Sequence, residues 1–596
     1  MAEAIAHRES RPRAPGIVGL CAALAMLVVI VPLAIRFSQA PAETIAEFAP
    51  QVTQQIHKAP NNQTAINGQG QGAGVAGTPT PSPSPSGAAA LAGATPTPAG
   101  GSSPSELQCV ETPGYPPRQI ADTQSPPCIP YWNDPKGNGG ATYHGVTGSQ
   151  INIAYWVENN GANTQMELER DLANFFNNHF EFYGRKINFI EEKPGLGCSS
   201  SGSTPGERQV ADQLVKQDNA FIVLDFYNES SECFMDEAAK DGAIAVDASP
   251  YFSEAQMESY GPLMWSYYES ADKEESDTGD YVCRSLAGGL ATHASGQDVG
   301  VTPPQPMNQS KRKFGSILEW DADGAQPMTD QPLKDALARC GVTLADSVLM
   351  PAQRNPGGGY ADEENPQAFQ QVMAKFQSEG ITSVVLFGLP WLEQFFASGA
   401  DSQQYHPEWI MPATMWGNDY DPIPRLFWPD SDQRANQLFG LSWGPRQVAY
   451  AASPAQWAVW DTDPSYVFPT ASNSGATAFM HLELTYHELL LAAAGIQMAG
   501  PNLNPTTFEQ GLERTQFPNP PSWQQEGAVG FPGVHYMTQD ATVWWWSETA
   551  PSVYPDEGPS AMCYEQHGAR YTGATFPRGP GDDYFTSACD SGSRPP

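Results

Sequence analysis

The chain has 596 residues, 66 of them acidic against 30 basic, and a formal charge of −36. That length supports a large core and more than one lobe, while the charge repels phosphate backbones and argues against a nucleic-acid partner. The 55 Gly and 55 Pro gather in particular stretches, so the chain is not uniformly globular.

Nine cysteines are present. Cys21 lies inside an apolar run. Cys109, Cys128, Cys198, Cys233, Cys283, Cys340, Cys563 and Cys589 form an even set without C-x-x-C spacing, which points to disulfides in an oxidising compartment rather than to zinc. Nothing in the sequence calls for a metal or another cofactor.

Arg8, Arg11 and Arg13 precede an uncharged run over residues 17–35, just long enough to cross about 30 Å of hydrocarbon as a helix. The positive flank predicts a cytoplasmic N-terminus (1–16) with the remaining chain outside. The run is longer than the usual signal-peptide core, and Pro41 directly follows the small-x-small triplet Ser38-Gln39-Ala40. The expectation is therefore a single-pass cell-membrane anchor with the bulk of the chain extracellular; secretion after signal cleavage is the alternative. Residues 36–105 are rich in Pro, Ser, Thr and Gly, with Thr-Pro and Ser-Pro repeats. Such a stretch buries too little apolar surface to fold and favours extended polyproline II, reading as a disordered stalk with a reach on the order of 200 Å. Within the lead-in 106–144, Cys109 and Cys128 either close a local loop or pair with the tail cysteines.

From Gly145 the pattern alternates strand and helix. GVTGSQINIAYWV carries an apolar strand (Ile151 to Val157), residues 164–183 an amphipathic helix, and YGRKINFI the next strand, a β-α-β unit of a parallel sheet. A helix over 205–217, a strand over 220–226, a helix over 230–240 and a strand over 243–246 extend it. After residues 263–268 the order repeats: a helix over 279–292, then strands over 314–320, 347–350, 383–387 and 409–412, interleaved with helices over 330–340, 367–379 and 391–397. Residues 438–443 read as a crossing strand, 477–499 as a long helix rich in Leu and Ala, and 540–546 as a closing strand. The predicted plan places a first lobe at 145–268 and 444–530, a second lobe at 269–443 and 531–549, and a Pro/Gly-rich tail at 550–596 stapled by Cys563 and Cys589.

These segments resemble, in order, the branched-chain amino acid receptor-like family of ABC-transporter substrate-binding proteins, with its type I periplasmic binding fold. The resemblance covers roughly Gly145 to Trp546 and rests on GVTGSQINIAYWV, YGRKINFI, PGERQVADQLVKQDNAFIVL, SSECFMDEAAKDGAIAVDAS, KFGSILEWDADG, FQSEGITSVVLFGLP and NPTTFEQGL. It implies two doubly wound parallel-sheet lobes joined by a hinge. It also implies a Cys198–Cys233 bridge and, with it, a Cys283–Cys340 bridge tying two second-lobe helices.

In open parallel sheets ligands bind beyond the carboxyl ends of the strands, and two lobes across a hinge form a closing cleft. The residues that chain order places there are Trp156 and Glu158; Tyr227, Ser230 and Ser231; Asp247, Ala248 and Ser249; Trp320 and Asp321; Trp391; and Trp416 and Asp419. In the family, hydroxyls and backbone N–H groups hold a ligand carboxylate and an acid from the second lobe holds its ammonium. The resemblance assigns the first role to Ser230 or Ser231 with Ala248 and Ser249, and the second to Asp419. Each of these residue types is also a common turn former or cap. Asp225-Phe226-Tyr227 departs from the small residues the family keeps after its third strand. The tryptophans suit a planar or apolar ligand or a sugar face, or else pack the core and hinge.

The expected function is a non-enzymatic, extracytoplasmic solute-binding protein that captures a small polar, amino-acid-like ligand for an ABC permease or for sensing. A cell-surface scaffold using the same fold is the alternative. Gly440-Leu441-Ser442-Trp443-Gly444 fits G-x-S-x-G, but no convincing helix follows Ser442 as a serine hydrolase requires. His481 and His487, six apart, do not share a helix face as a zinc pair would.

Overall fold

The computed structural model describes the chain over residues 109–589, apart chiefly from 112–116, 157–161, 193–197, 199–204, 225–230, 248–251, 322–328, 353–365, 413–423, 467–475, 515–533, 554–558 and 580–588. The expected anchor (17–35) and stalk (36–105) lie outside the described residues. Among the described residues no helix is long and apolar enough to cross a membrane.

The chain enters the first sheet at Gly145, whose positive φ of 72° and tight approach to Phe221 leave no room for a side chain. Strand β1 (Gln150–Trp156) then alternates its apolar residues between two cores: Ile151, Ile153 and Tyr155 enter one, Ala154 the other. Burial on both faces is what a parallel sheet flanked by helices imposes. Helix α1 (Ala162–His179) buries Leu172, Ala173 and Phe176 on one stripe. The remaining elements of this half are β2 (Lys186–Glu192), α2 (Glu207–Asp212), β3 (Ile222–Leu224), α3 (Ser231–Lys240), β4 (Ile244–Asp247), α4 (Glu254–Ser259) and β5 (Met264–Ser266). All pairings are parallel, in the order β2-β1-β3-β4-β5.

The chain then passes through Tyr267–Ser270 into α5 (Ala271–Tyr281) and, after a short β6–β7 hairpin (Gln297–Asp298 with Gln305–Pro306), builds a second sheet. Its elements are β8 (Phe314–Asp321), α6 (Gln331–Ala338), β9 (Asp346–Ala352), α7 (Pro366–Ser378), β10 (Ser383–Phe387), α8 (Pro390–Asp401), β11 (Glu408–Pro412) and β12 (Leu438–Ser442). The parallel order β9-β8-β10-β11-β12 repeats that of the first sheet. Gly440 is required in β12 because a Cβ there would fall 1.9 Å from the Met411 carbonyl oxygen of β11.

From β12 the chain returns to the first lobe as α9 (Pro454–Thr462), α10 (Ala476–Ala499) and α11 (Pro505–Glu513). Helix α10, predominantly apolar, is buried on all sides from Leu482 to Gln497. Residues Leu489 to Ala494 are fully buried, Phe508 of α11 fills the space over Gly495, and Tyr486 and Gln497 bond to Asp122 and to the Pro127 carbonyl of the lead-in. A third passage follows: Ser266 donates to the His535 carbonyl, Met537 and Thr538 donate back to the Ser266 and Tyr267 carbonyls, and β13 (Ala541–Pro551) then joins the second sheet antiparallel to β12. Trp544 and Trp546 of β13 enter one core and Trp545 the other, as expected of a strand.

Two expectations are corrected. The helix read at 279–292 starts instead at Ala271 and ends in a wider turn at Leu286. Its first turns carry Glu274, Glu275 and Asp277, all three buried. The tail also does more than hang from its bridge. Strand β14 (Pro559–Tyr564) pairs antiparallel with β13, and β15 (Arg570–Tyr571) pairs with the start of β13. Ala561, Met562, Cys563 and Tyr564 are apolar on both faces and are buried on both. The four disulfides are Cys109–Cys128, Cys198–Cys233, Cys283–Cys340 and Cys563–Cys589, so the local pairing in the lead-in holds.

Candidate inter-lobe site at the strand ends

The passages between lobes fix which ends of the two sheets adjoin. The first leaves from the carboxyl end of β5 at Ser266, and the second from the carboxyl end of β12 at Ser442. The third enters β13 at Ala541 and Thr542, with Thr542 in register beside Ser442. All three therefore lie at the carboxyl ends of the parallel strands, and those ends of both sheets border the inter-lobe space. Within each sheet the strand order reverses beside β1 or β8, the usual position for a ligand crevice.

The register places the sequence-derived candidates around these ends. Trp156 closes β1, directly across from Glu192 of β2, and Ser231 opens α3 after β3. Asp247 closes β4, is 4% exposed, and its carbonyl accepts from Tyr267 at 2.8 Å, tying the strand end to the first passage. Trp320 and Asp321 close β8 beside Pro351 and Ala352 of β9, and Trp391 lies in the first turn of α8. Glu158, Tyr227, Ser230, Ala248, Ser249, Trp416 and Asp419 lie outside the described residues, on the segments that follow β1, β3, β4 and β11. The backbone thus brings Trp156, Ser231 and Asp247 to one sheet end and Trp320, Asp321 and Trp391 to the other.

Two acids at the second sheet's end were missed in the sequence. A Cβ on Gly388, just after β10, would sit 3.2 Å from a Glu319 carboxylate oxygen and 3.4 Å from Glu393 Cγ, so both side chains converge there. Glu319 is 3% exposed and Glu393 is fully buried, accepting from Trp428 Nε1 at 2.7 Å. A buried charge is costly unless it is paired or hydrogen-bonded, and an indole donor supplies part of that compensation. The signal for Glu319 is an acid two residues before the end of a largely apolar strand, FGSILEWD. On the first lobe, Tyr155 near the end of β1 bonds through its hydroxyl to Thr485 Oγ1 of α10 at 3.1 Å, fixing β1 against the returning helix.

The G-x-S-x-G segment is structural. Ser442 is the last residue of β12, fully buried, with its Oγ 3.4 Å from the Gly444 carbonyl. A nucleophile elbow needs an exposed Oγ on a strand-to-helix turn, and the next described helix after it begins only at Pro454. His487 is buried on α10 and stacks on Tyr267 at 4.5 Å between ring centres; burial holds its pKa down at about 4.

No protein-family model and no curated protein matches the sequence. Solved structures match across most of the chain. One is an ABC-transporter substrate-binding protein from Aeropyrum pernix, at 10% identity over 71% of this chain and 96% of that one, with a TM-score of 0.47. Another is a solute-binding protein from R. palustris in complex with 4-hydroxybenzoate, at 11% identity over 72% and 98%, TM-score 0.45. A third is the leucine-, isoleucine-, valine-, threonine- and alanine-binding protein of Brucella ovis in a closed conformation, at 11% identity over 71% and 95%, TM-score 0.46. Two parallel sheets of the same strand order, joined by three passages at their carboxyl ends, give this chain a two-lobed, doubly wound α/β architecture.

Proposed function

We propose that this protein is an extracytoplasmic solute-binding protein that holds a small polar, amino-acid-like ligand between its lobes, for uptake by an ABC-type permease or for sensing. The observation that carries the reading is that all three passages sit at the carboxyl ends of both sheets, so the ligand-binding ends of two doubly wound lobes share one cleft. Four disulfides support an oxidising, extracytoplasmic setting. In this reading Ser230 or Ser231 with Ala248 and Ser249 hold a carboxylate, Asp419 meets an ammonium, and Trp156, Glu158, Tyr227, Trp320, Asp321, Trp391 and Trp416 shape the walls. Residues 17–35 anchor the chain in the membrane and 36–105 carry the lobes away from it.

The test is thermal unfolding of the purified protein against amino acids, amides, sugars, peptides and aromatic acids. The panel includes leucine and 4-hydroxybenzoate, taken from the names of matched proteins. A ligand at 100 times its dissociation constant adds about 2.7 kcal/mol to stability. No shift with any class, together with a cleft filled by the protein's own side chains, would replace this reading with that of a surface scaffold.

A further inference from the structure

Beyond β13 the chain does not end but turns back onto the passages. Arg570, in the two-residue strand β15, has a side chain only 4% exposed. Its Nε and Nη2 donate to Asp540 Oδ1 at 3.0 and 2.8 Å, and Nη2 also donates to the Asp540 carbonyl at 2.6 Å. The same guanidinium reaches the carbonyls of Trp443 at 2.9 Å, from Nη2, and of Gly444 at 2.6 Å, from Nη1. Asp540 belongs to the third passage, and Trp443 and Gly444 to the second. Trp443, fully buried, extends the link: its indole Nε1 donates to Glu269 Oε2 of the first passage at 2.8 Å, where Glu269 is itself fully buried.

Three polypeptide passages are thus joined through one cation and one indole. A hinge moves by changing φ and ψ at a few residues of its connecting strands. Carbonyls held by a shared, rigid guanidinium fork cannot rotate independently, and a carbonyl torn from it inside the protein is left without a partner at a cost. The segment that delivers Arg570 is itself fastened to the second lobe. Past Arg570, Phe576 packs on Tyr281 of α5 with ring centres 5.7 Å apart, and its carbonyl accepts from Arg284 Nε at 2.8 Å. Before it, the Cys563–Cys589 bridge ties β14 to the chain end.

We propose that the C-terminal segment is a hinge clamp, in which Arg570 locks the second and third passages together and Trp443 relays the lock to Glu269 in the first, narrowing the range over which the lobes open. The clamp rests on the reading of the cleft as one that opens and closes, and its test needs no ligand, so either can fail without the other.

Spin labels attached by non-cysteine chemistry at Gln217 and Gln371, exposed residues of the first and second lobes, report the inter-lobe distance distribution in the full-length chain. Arg570→Ala widens that distribution at least about two-fold, as expected when a hinge gains freedom. Ile317→Val, which loosens a second-lobe core away from the passages, leaves the width unchanged. A folded Arg570→Ala protein with the parental width overturns the clamp, as does equal broadening in Ile317→Val. If Arg570→Ala does not fold, Trp443→Phe decides: it keeps an aromatic ring but removes the indole donor to Glu269, and an unchanged width there overturns the proposal.

Discussion

The buried pair of Arg312 and Glu408 offers a quantitative test of how the second lobe is held in register. Both side chains are fully buried, and the pair is bidentate, Nε to Oε2 at 2.8 Å and Nη2 to Oε1 at 3.0 Å. Glu408 opens β11 and also accepts from Ser383 Oγ, which opens β10, at 2.6 Å; Arg312 stands two residues before β8 and donates to the Leu286 carbonyl at 3.3 Å. The pair therefore stitches the amino ends of three strands whose carboxyl ends carry the candidate site. Arg312→Met leaves the Glu408 carboxylate without its counter-charge, which costs about 3–5 kcal/mol. Two unit charges about 4 Å apart at an effective dielectric near 20 interact by about 4 kcal/mol, the same size. At roughly 2–4 °C per kcal/mol for a lobe of this size, the melting temperature falls on the order of 10 °C. Arg312→Met/Glu408→Met removes both charges and recovers more than half of the loss, because an apolar pair of similar volume often replaces a buried ion pair without penalty. A double-mutant cycle by thermal unfolding reads the coupling. A single mutant costing under about 1 kcal/mol, or a double mutant as unstable as the two singles added, refutes the reasoning.

Two further outcomes follow from the same physics. Burial raises the Glu275 carboxyl from the ordinary 4.5 to about 9, against a weaker pull from its hydrogen bond to the Leu333 N–H. A raised carboxyl contributes stability that is complete below 4.5 and is lost as pH rises through 9, about 1.4 kcal/mol per pH unit. Glu275→Gln flattens that slope in unfolding curves taken from pH 5 to 9, leaving a residue from Glu269 and Glu483, which burial raises to about 8, and from Glu565, which burial raises to about 7; an unchanged slope contradicts the assignment. On the acid side His487 acts in the opposite sense, its stabilisation present above 6.5 and lost as pH falls through 4. At the proposed site, Asp419→Asn raises the dissociation constant of an ammonium-bearing ligand about tenfold or more, equal to roughly 1.4 kcal/mol. Calorimetry with a ligand from the stability screen checks it, and equal affinity removes Asp419 from the site.

The elements that the sequence made legible are those whose signal is local. The strand over 383–387 and the long helix of the return, Ala476–Ala499, emerge from runs of apolar residues of the right length. The α5 helix does not, since the burial of Glu274, Glu275 and Asp277 is decided by tertiary packing, with Glu275 accepting from the Leu333 N–H of α6. The candidate site was legible as a set of positions after particular strands, because chain order in a β-α series fixes which residues follow which strand. Glu319 and Glu393 escaped, because their convergence on Gly388 depends on β8, β10 and α8 meeting in space.

By itself, then, the sequence determined the alternation of strand and helix, its repetition in two halves, and an even set of eight cysteines suited to bridging. Those follow from side-chain periodicity and composition, which act along the chain. Tertiary structure alone decided that the three passages gather at the carboxyl ends of both sheets and that the C-terminal segment turns back to hold them. Arg570, Trp443 and Glu269 are far apart in sequence, and only the pairing of β15 with β13 and of β13 with β12 brings one guanidinium within reach of two passages. Parallel pairing and burial of charge are set by contacts between distant segments, and those contacts carry no signature in the local pattern of residues.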